Sequence, residues 1–211
     1  MNNLILHKFK PKNIEEFLIK DDVKNILQFL INNNNLNILL EGNNCSGKTT
    51  LIDVIKNTYY NSSNINNMDN NFLYINPLKE QGISYFRNEI KTFCQTISSV
   101  SGKKKLLIID DIDLINEQNQ QIFRNYLDKY NNNINFICSC KNIEKVINAI
   151  QSRLIIIKLE NINTCHIKHI IEKICTNLQI KLNNNLYDII IKQSNFNIKT
   201  IITNLEKFKL L

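Results

Sequence analysis

Residues 42–49 read GNNCSGKT, and they hold two of the four glycines in a chain of 211 residues. Immediately upstream, residues 36–41 (LNILLE) form a short apolar run of the kind that makes a buried strand. Downstream, over residues 48–60, the spacing turns helical, with Leu51, Ile52, Ile55 and Tyr59 sharing one side. Glycines between a strand and a helix predict a loop whose backbone approaches something closely or takes dihedral angles that side chains resist. The unpaired N–H groups and the dipole at the start of the helix favour negative charge there.

Gly42, Gly47, Lys48 and Thr49 fall at the spacing of a phosphate-binding loop. In that reading the backbone from Gly42 through Asn43, Asn44, Cys45, Ser46 and Gly47 to Thr50 wraps the phosphates of a nucleotide. Lys48 reaches the outer phosphates and the Thr49 hydroxyl ligates Mg²⁺. The bland alternative is a chance turn. Cys45 is the departure, since many such loops carry a further glycine there.

The other half of such a site is LLIIDD, residues 106–111. Asp110, at the carboxyl end of an apolar strand, is placed to hold Mg²⁺ through water, and Asp111 to polarise an attacking water. An acid beside a strand end can also be a solvated cap. Asp113 reads as local framework. Arg153, just before the last strand, either solvates the sheet edge or neutralises charge on a neighbouring protomer's nucleotide. Lys8, Lys10 and Lys12, interleaved with Phe9 and Pro11, either clamp a nucleotide or phosphate backbone or form a basic arm.

Around these motifs the chain alternates. Strands are expected over residues 36–41, 72–76, 106–110, 136–139 and 154–158. Helices are expected over 14–31, 48–60, 83–97, 119–130 and 143–150, then over 165–178, 185–193 and 197–208. Near-continuous apolar strands separated by helices predict a parallel sheet covered on both faces. This divides the chain into an N-terminal basic segment and helix (1–35), an α/β domain (36–160) and a three-helix satellite (161–211).

Composition sets the outer bounds. Asparagine occupies 38 positions, often in runs such as 32–35 and 131–133, which reads as biased coding filling loops. The formal charge of +7 permits a nucleic-acid partner without requiring one. Six cysteines lack metal-site spacing and, with no secretory signal, are expected as reduced thiols inside a cell. No stretch has the apolar length of a membrane span, so no membrane partner is expected.

Taken together, the motifs resemble the small subunit of the sliding-clamp loader, the replication factor C family of AAA+ ATPases. HKFKP at residues 7–11 is similar to the family's basic-aromatic-basic-proline opening, and LYINPLKEQGI at 73–83 to its second-strand segment, with Arg87 following. The most specific stretch is FICSCKNIEKVINAIQSRL at 136–154, where Ser139-Cys140 and Ser152-Arg153 fall at the family's spacing. The resemblance runs from Lys8 to the C-terminus.

It implies a P-loop NTPase of AAA+ type with a five-stranded parallel sheet and a small three-helix lid. It implies ATP and Mg²⁺ as cofactors, and as partners other loader subunits, a sliding clamp and primer–template DNA. Arg153 becomes an arginine acting on the adjacent subunit's ATP, and Asn76 matches a residue coupling DNA to the catalytic acid. Lys141 stands at the first sensor position, unless Asn142 takes over by a local shift, and Lys199 replaces the second-sensor arginine with a single-point contact. Lys79, Arg87, Lys91 and Arg124 lie where the family faces DNA.

Cys45, Asp111 in place of the usual Glu, and the altered sensors are departures that bear on the hydrolysis rate. The family's C-terminal collar has no counterpart here, so assembly is expected to rely on the AAA+ faces or on a partner's collar, unless the chain is a shortened form. The functional expectation is clamp loading in the nucleus or in a viral replication compartment. The alternatives are a non-catalytic loader subunit or an AAA+ loader of another replication protein.

Overall fold

The computed structural model describes residues 9–60, 69–77, 83–160, 164–178, 189–191, 193–194 and 197–210. Its strands are β1 (Ile38–Glu41), β2 (Phe72–Ile75), β3 (Lys105–Ile109), β4 (Ile134–Cys140) and β5 (Ile155–Lys158). They form one parallel sheet in the order β2-β3-β4-β1-β5. The helices around it are α1 (Asp21–Asn32), α2 (Lys48–Tyr60), α3 (Ile83–Gln95), α4 (Glu117–Tyr130) and the short α5 (Asn148–Gln151). This is the expected α/β architecture of a P-loop NTPase, with a further helical region after it.

Alternation along the strands sends side chains to two cores. Leu40, Leu106, Ile108 and Ile137 pack with Leu27 of α1 and Leu51 and Ile55 of α2. Leu39, Leu107, Ile109 and Cys138 pack with Ile90 of α3 and Phe123 and Leu127 of α4. On that second face Phe123 meets Phe136 edge to face, ring centroids 5.6 Å apart. Every residue of β3 and β4 is buried, which only helices on both faces can achieve. β1 lies between β4 and β5, so the loop leaving it opens at the carboxyl edge where the strand order reverses.

Two expected helices are divided. In place of one helix over 14–31 there is a 3₁₀ turn at Ile14–Glu16, an extended stretch, and then α1 from Asp21. Phe17 is extended (φ −79°, ψ 134°) because its ring is drawn into the core beside the glycine loop, a tertiary demand that helical spacing could not reveal. In place of one helix over 143–150 there is a turn at Ile143–Lys145, extended Val146 and Ile147, then α5. The buried Gln120 side chain splices that break, donating to Lys145 O (2.9 Å) and Ile115 O (3.0 Å) and accepting from Ile147 N (2.9 Å). Asn116 caps α4 by accepting from Asn119 N, starting the helix two residues earlier than expected.

The chain divides into two compact units, one of residues 13–159 and one formed by the segments on either side of it. In the second, α6 (Thr164–Leu178) and α7 (Ile198–Leu210) bury Ile167, Ile171, Ile174, Ile201 and Leu205, with Ile190, Ile191 and Phe9 joining them. Among the described residues no helix is long and apolar enough to cross a membrane.

Candidate functional site: a phosphate loop facing paired acids

The loop is tied into the sheet at its base. Gly42 N donates to Cys140 O (3.1 Å) and Leu159 N donates to Glu41 O (2.7 Å), so the loop springs from between β4 and β5. Inside it Ser46 N donates to Asn43 O (3.2 Å), and Leu51 N to Gly47 O (2.8 Å) opens α2. Gly47 has φ +91°, and a Cβ there would lie 2.8 Å from the Phe17 ring. At Gly42 a Cβ would lie 2.6 Å from Ser46 Oγ and 3.2 Å from Leu159. Space is tight at both glycines, and at Gly47 the dihedral also disfavours any side chain. Cys45 takes the left-handed region itself (φ 65°), at a cost of about 1–2 kcal/mol that a glycine avoids. The departure at Cys45 keeps the loop's shape at an energetic cost.

Lys48, 7% exposed, folds its ammonium back into the loop, donating to Gly42 O (2.8 Å) and Asn43 O (3.2 Å). The next residue, Thr49, donates its hydroxyl to Asp110 Oδ2 at 2.8 Å, joining the start of α2 to the end of β3. Tyr74 OH donates to the same oxygen at 2.6 Å, and Ser139 Oγ donates to Asp110 Oδ1. Ser139 Oγ also accepts from Asp111 N at 2.9 Å, so one buried hydroxyl fixes both acids. Asp111 is left-handed (φ 55°, ψ 55°), turning the chain sharply out of the sheet. Burial raises its carboxyl above the ordinary value, the neighbouring Asp110 and Asp113 charges add to this, and Lys48 opposes it. Burial and the bond to Asp110 likewise raise the Tyr74 phenol.

These residues fit a magnesium–triphosphate. The loop packs its two glycines closely against Ser46, Leu159 and Phe17, Lys48 sits among its carbonyls, and Thr49 with Asp110 supplies hard oxygen donors. Mg²⁺ asks for only one or two protein ligands, with water and phosphate completing its shell. Among the described residues no cluster of three His, Cys, Asp or Glu could hold a metal in a protein-only cage. Cys94, Cys138, Cys140 and Cys175 are buried free thiols and Cys45 an exposed one, with burial pushing Cys94 and Cys140 up to about 12.

Asn43 and Asn44 are exposed on the loop, Ser46 is buried and Thr50 half-buried. Asn76 is half-buried immediately after β2. Asp113 Oδ2 accepts from the backbone N–H groups of Lys141 (3.3 Å) and Asn142 (3.1 Å), while Asn142 spends its side-chain oxygen on Glu144 N (2.9 Å). Arg87 and Lys91 are exposed on α3, and Arg124 lies on α4. Arg153 is on the surface, bonded to Asp128 and Ala149 of its own chain. Pro11 is half-buried. Lys8 and Lys79 lie outside the described residues, as does the side chain of Lys199 on α7.

Sequence reasoning gave no site role to Tyr74, Ser139 or Phe17. Ser139 had a legible signal: a lone serine inside the apolar run INFICSC, in a strand paired to the acid-bearing one, needs a partner once buried. Tyr74, one strand over, pairs with Ile108 two residues before Asp110.

The family model of the ATPase family associated with various cellular activities (AAA) matches residues 38–160, more than half of the chain. A replication factor C small subunit of Sulfolobus acidocaldarius is 29% identical over 147 residues, covering 69% of this chain and 44% of that protein. A replication factor C small subunit of Methanocella arvoryzae is 26% identical over 185 residues, covering 87% of this chain and 56% of that one. The chain thus spans about half the length of these relatives. Among solved structures, AMPPCP-bound DnaA from Aquifex aeolicus superposes with a TM-score of 0.69 at 18% identity, over 94% of this chain and 64% of that one, a likeness of fold.

Proposed function

The chain belongs to the AAA family of ATPases, and from that premise we propose that it is an ATP-dependent clamp-loader subunit that helps open a sliding clamp and place it on primer–template DNA during replication. The observation that carries this reading is the distant homology, repeated between archaeal proteins, to replication factor C small subunits across most of this chain. The place of action it implies is the nucleus or a viral replication compartment.

In this reading Lys48 exchanges the loop carbonyls for the outer phosphates of ATP, and Thr49 and Asp110 hold Mg²⁺. The metal, when bound, neutralises charge on the phosphate oxygens. Asp111 orients the attacking water and takes its proton, with Ser139 fixing the angle between the two acids. Arg153 acts on the nucleotide of an adjacent protomer, and Lys141 and Lys199 take the sensor positions. Arg87 and Lys91, exposed on α3, face DNA together with Lys79, and Asn76 links that surface to the site. The test is the ATPase rate of the assembled loader with and without primed DNA and clamp. Stimulation by both is expected; a rate indifferent to both contradicts the reading.

A second reading is a non-catalytic subunit that binds nucleotide and chiefly offers Arg153 to a neighbour. Asp111 favours it, being one methylene shorter than Glu and held by its backbone to Ser139. Asp111→Asn and Arg153→Ala separate the two. The catalytic reading expects both to lower the assembly's ATPase, the second reading only Arg153→Ala.

A further inference from the structure

Away from the phosphate loop, one carboxylate sits between two guanidinium groups. Asp128 of α4 accepts from Arg153 Nε on Oδ1 and from Arg153 Nη2 (3.2 Å) on Oδ2. Arg124, one turn earlier on the same helix, donates Nε to Oδ2 at 3.3 Å. Arg153 Nη1 donates to Ala149 O at 2.7 Å, so all three nitrogens of that guanidinium are engaged by its own chain. The three side chains are 33–42% exposed, accessible to an incoming group.

Two cations around one anion leave a net positive charge, and the paired fork geometry seen here is the one guanidinium groups use for phosphate. A carboxylate and a phosphate compete for the same N–H donors, and the phosphate brings more charge and more acceptor oxygens. We propose that Asp128 is an internal stand-in for phosphate: it holds Arg153 in cis on the free protomer and yields it, together with Arg124, to the terminal phosphates of a nucleotide bound by the adjacent protomer. This rests on Arg153 acting in trans and adds two things to that reading. Arg124 becomes a second cationic contact, and Asp128 becomes the anion that must be displaced. Assembly then responds to nucleotide only once the neighbour's phosphates outcompete Asp128, which keeps the interface weak when the neighbour is empty.

The test uses the full chain in the complex in which it is recovered from its own cells. Asp128→Asn keeps the shape and removes the charge. It is expected to lower the half-saturating ATP concentration of the assembly roughly two- to fivefold, the range an exposed ion pair supports, with kcat unchanged. Arg124→Ala is expected to raise that concentration. If Asp128 merely orients Arg153, Asp128→Asn raises the half-saturating concentration or lowers kcat, and the proposal falls. An unchanged half-saturating concentration overturns it as well. Arg153→Ala separates this outcome from the underlying reading: full ATPase in that variant sinks the trans arginine, whereas loss of ATPase leaves it standing. On the isolated chain, Arg153 Nε–H exchange followed by NMR should accelerate in Asp128→Asn, and identical exchange would refute the cis contact. Recovery of the chain only as a monomer, with no nucleotide-dependent association, overturns both.

Discussion

Replacing Ser139 by Ala removes one oxygen from a position with no solvent exposure. That oxygen donates to Asp110 Oδ1 and accepts from Asp111 N at 2.9 Å, so its loss leaves a buried carboxylate oxygen and a half-buried N–H short of a partner. A hydrogen bond to a charged group contributes about 1.5–3 kcal/mol, and an orphaned buried donor costs about 1–3 kcal/mol. Partial relaxation toward the Tyr74 and Thr49 bonds on Oδ2 offsets some of this, so a net loss of about 2–3 kcal/mol is expected. Urea denaturation reads that loss as a lower midpoint at unchanged slope. The same hydroxyl holds the left-handed turn at Asp111, which the proposed function makes the water-orienting group, and a displaced catalytic group costs up to about a hundredfold in rate. The kcat of ATP hydrolysis is therefore expected to fall roughly tenfold or more, with nucleotide affinity, set by the loop, changed far less. A variant as stable and as fast as the wild type would refute the idea that Ser139 couples the two acids.

Gly47→Ala must place a side chain at φ +91° and against the Phe17 ring, and is expected to destabilise the loop by about 2 kcal/mol or more. Titration with a fluorescent ATP analogue should show binding lost; wild-type affinity would contradict the geometry. Gln120→Ala strips Lys145 O, Ile115 O and Ile147 N of their side-chain partner and is expected to cost about 3 kcal/mol in denaturation experiments. Less than 0.5 kcal/mol would mean the break before α5 needs no splice. At pH 8 the Cys94 and Cys140 thiols, pushed up to about 12 by burial, are protonated in the folded protein and gain thiolate only toward that value as pH rises. Mass-spectrometric mapping after brief alkylation should then find Cys45, which is exposed, far ahead of both, and equal labelling would contradict the burial.

The strand–loop–helix unit was legible because its signals are local: an apolar run, glycines at fixed offsets, and 3.6-residue spacing from Lys48 to Tyr60, which are the bounds of α2. What the sequence hid is set at long range. Phe17 leaves its helix for a contact with Gly47, thirty positions away, and Gln120 repairs a backbone break twenty-five positions downstream. Lys105, the last of three consecutive lysines, lies just before the strand expected from residue 106, yet it is 2% exposed and is the first residue of β3. Its ammonium donates to Phe93 O (2.9 Å), satisfying a carbonyl near the end of α3 and lying over the Phe93 ring. Burial lowers its pKa. Asp110 followed from its strand position and Ser139 announced itself as a polar residue in an apolar strand, whereas their meeting, and the arrival of Tyr74 beside them, required the register of three strands.

The most direct measurement is retention of labelled ATP by the purified chain, with and without Mg²⁺, in the wild type and in Lys48→Ala. Magnesium-dependent retention by the wild type and its loss in Lys48→Ala is the predicted result. Equal retention by both chains, or none by the wild type, would contradict a triphosphate site built on Lys48, Thr49 and Asp110.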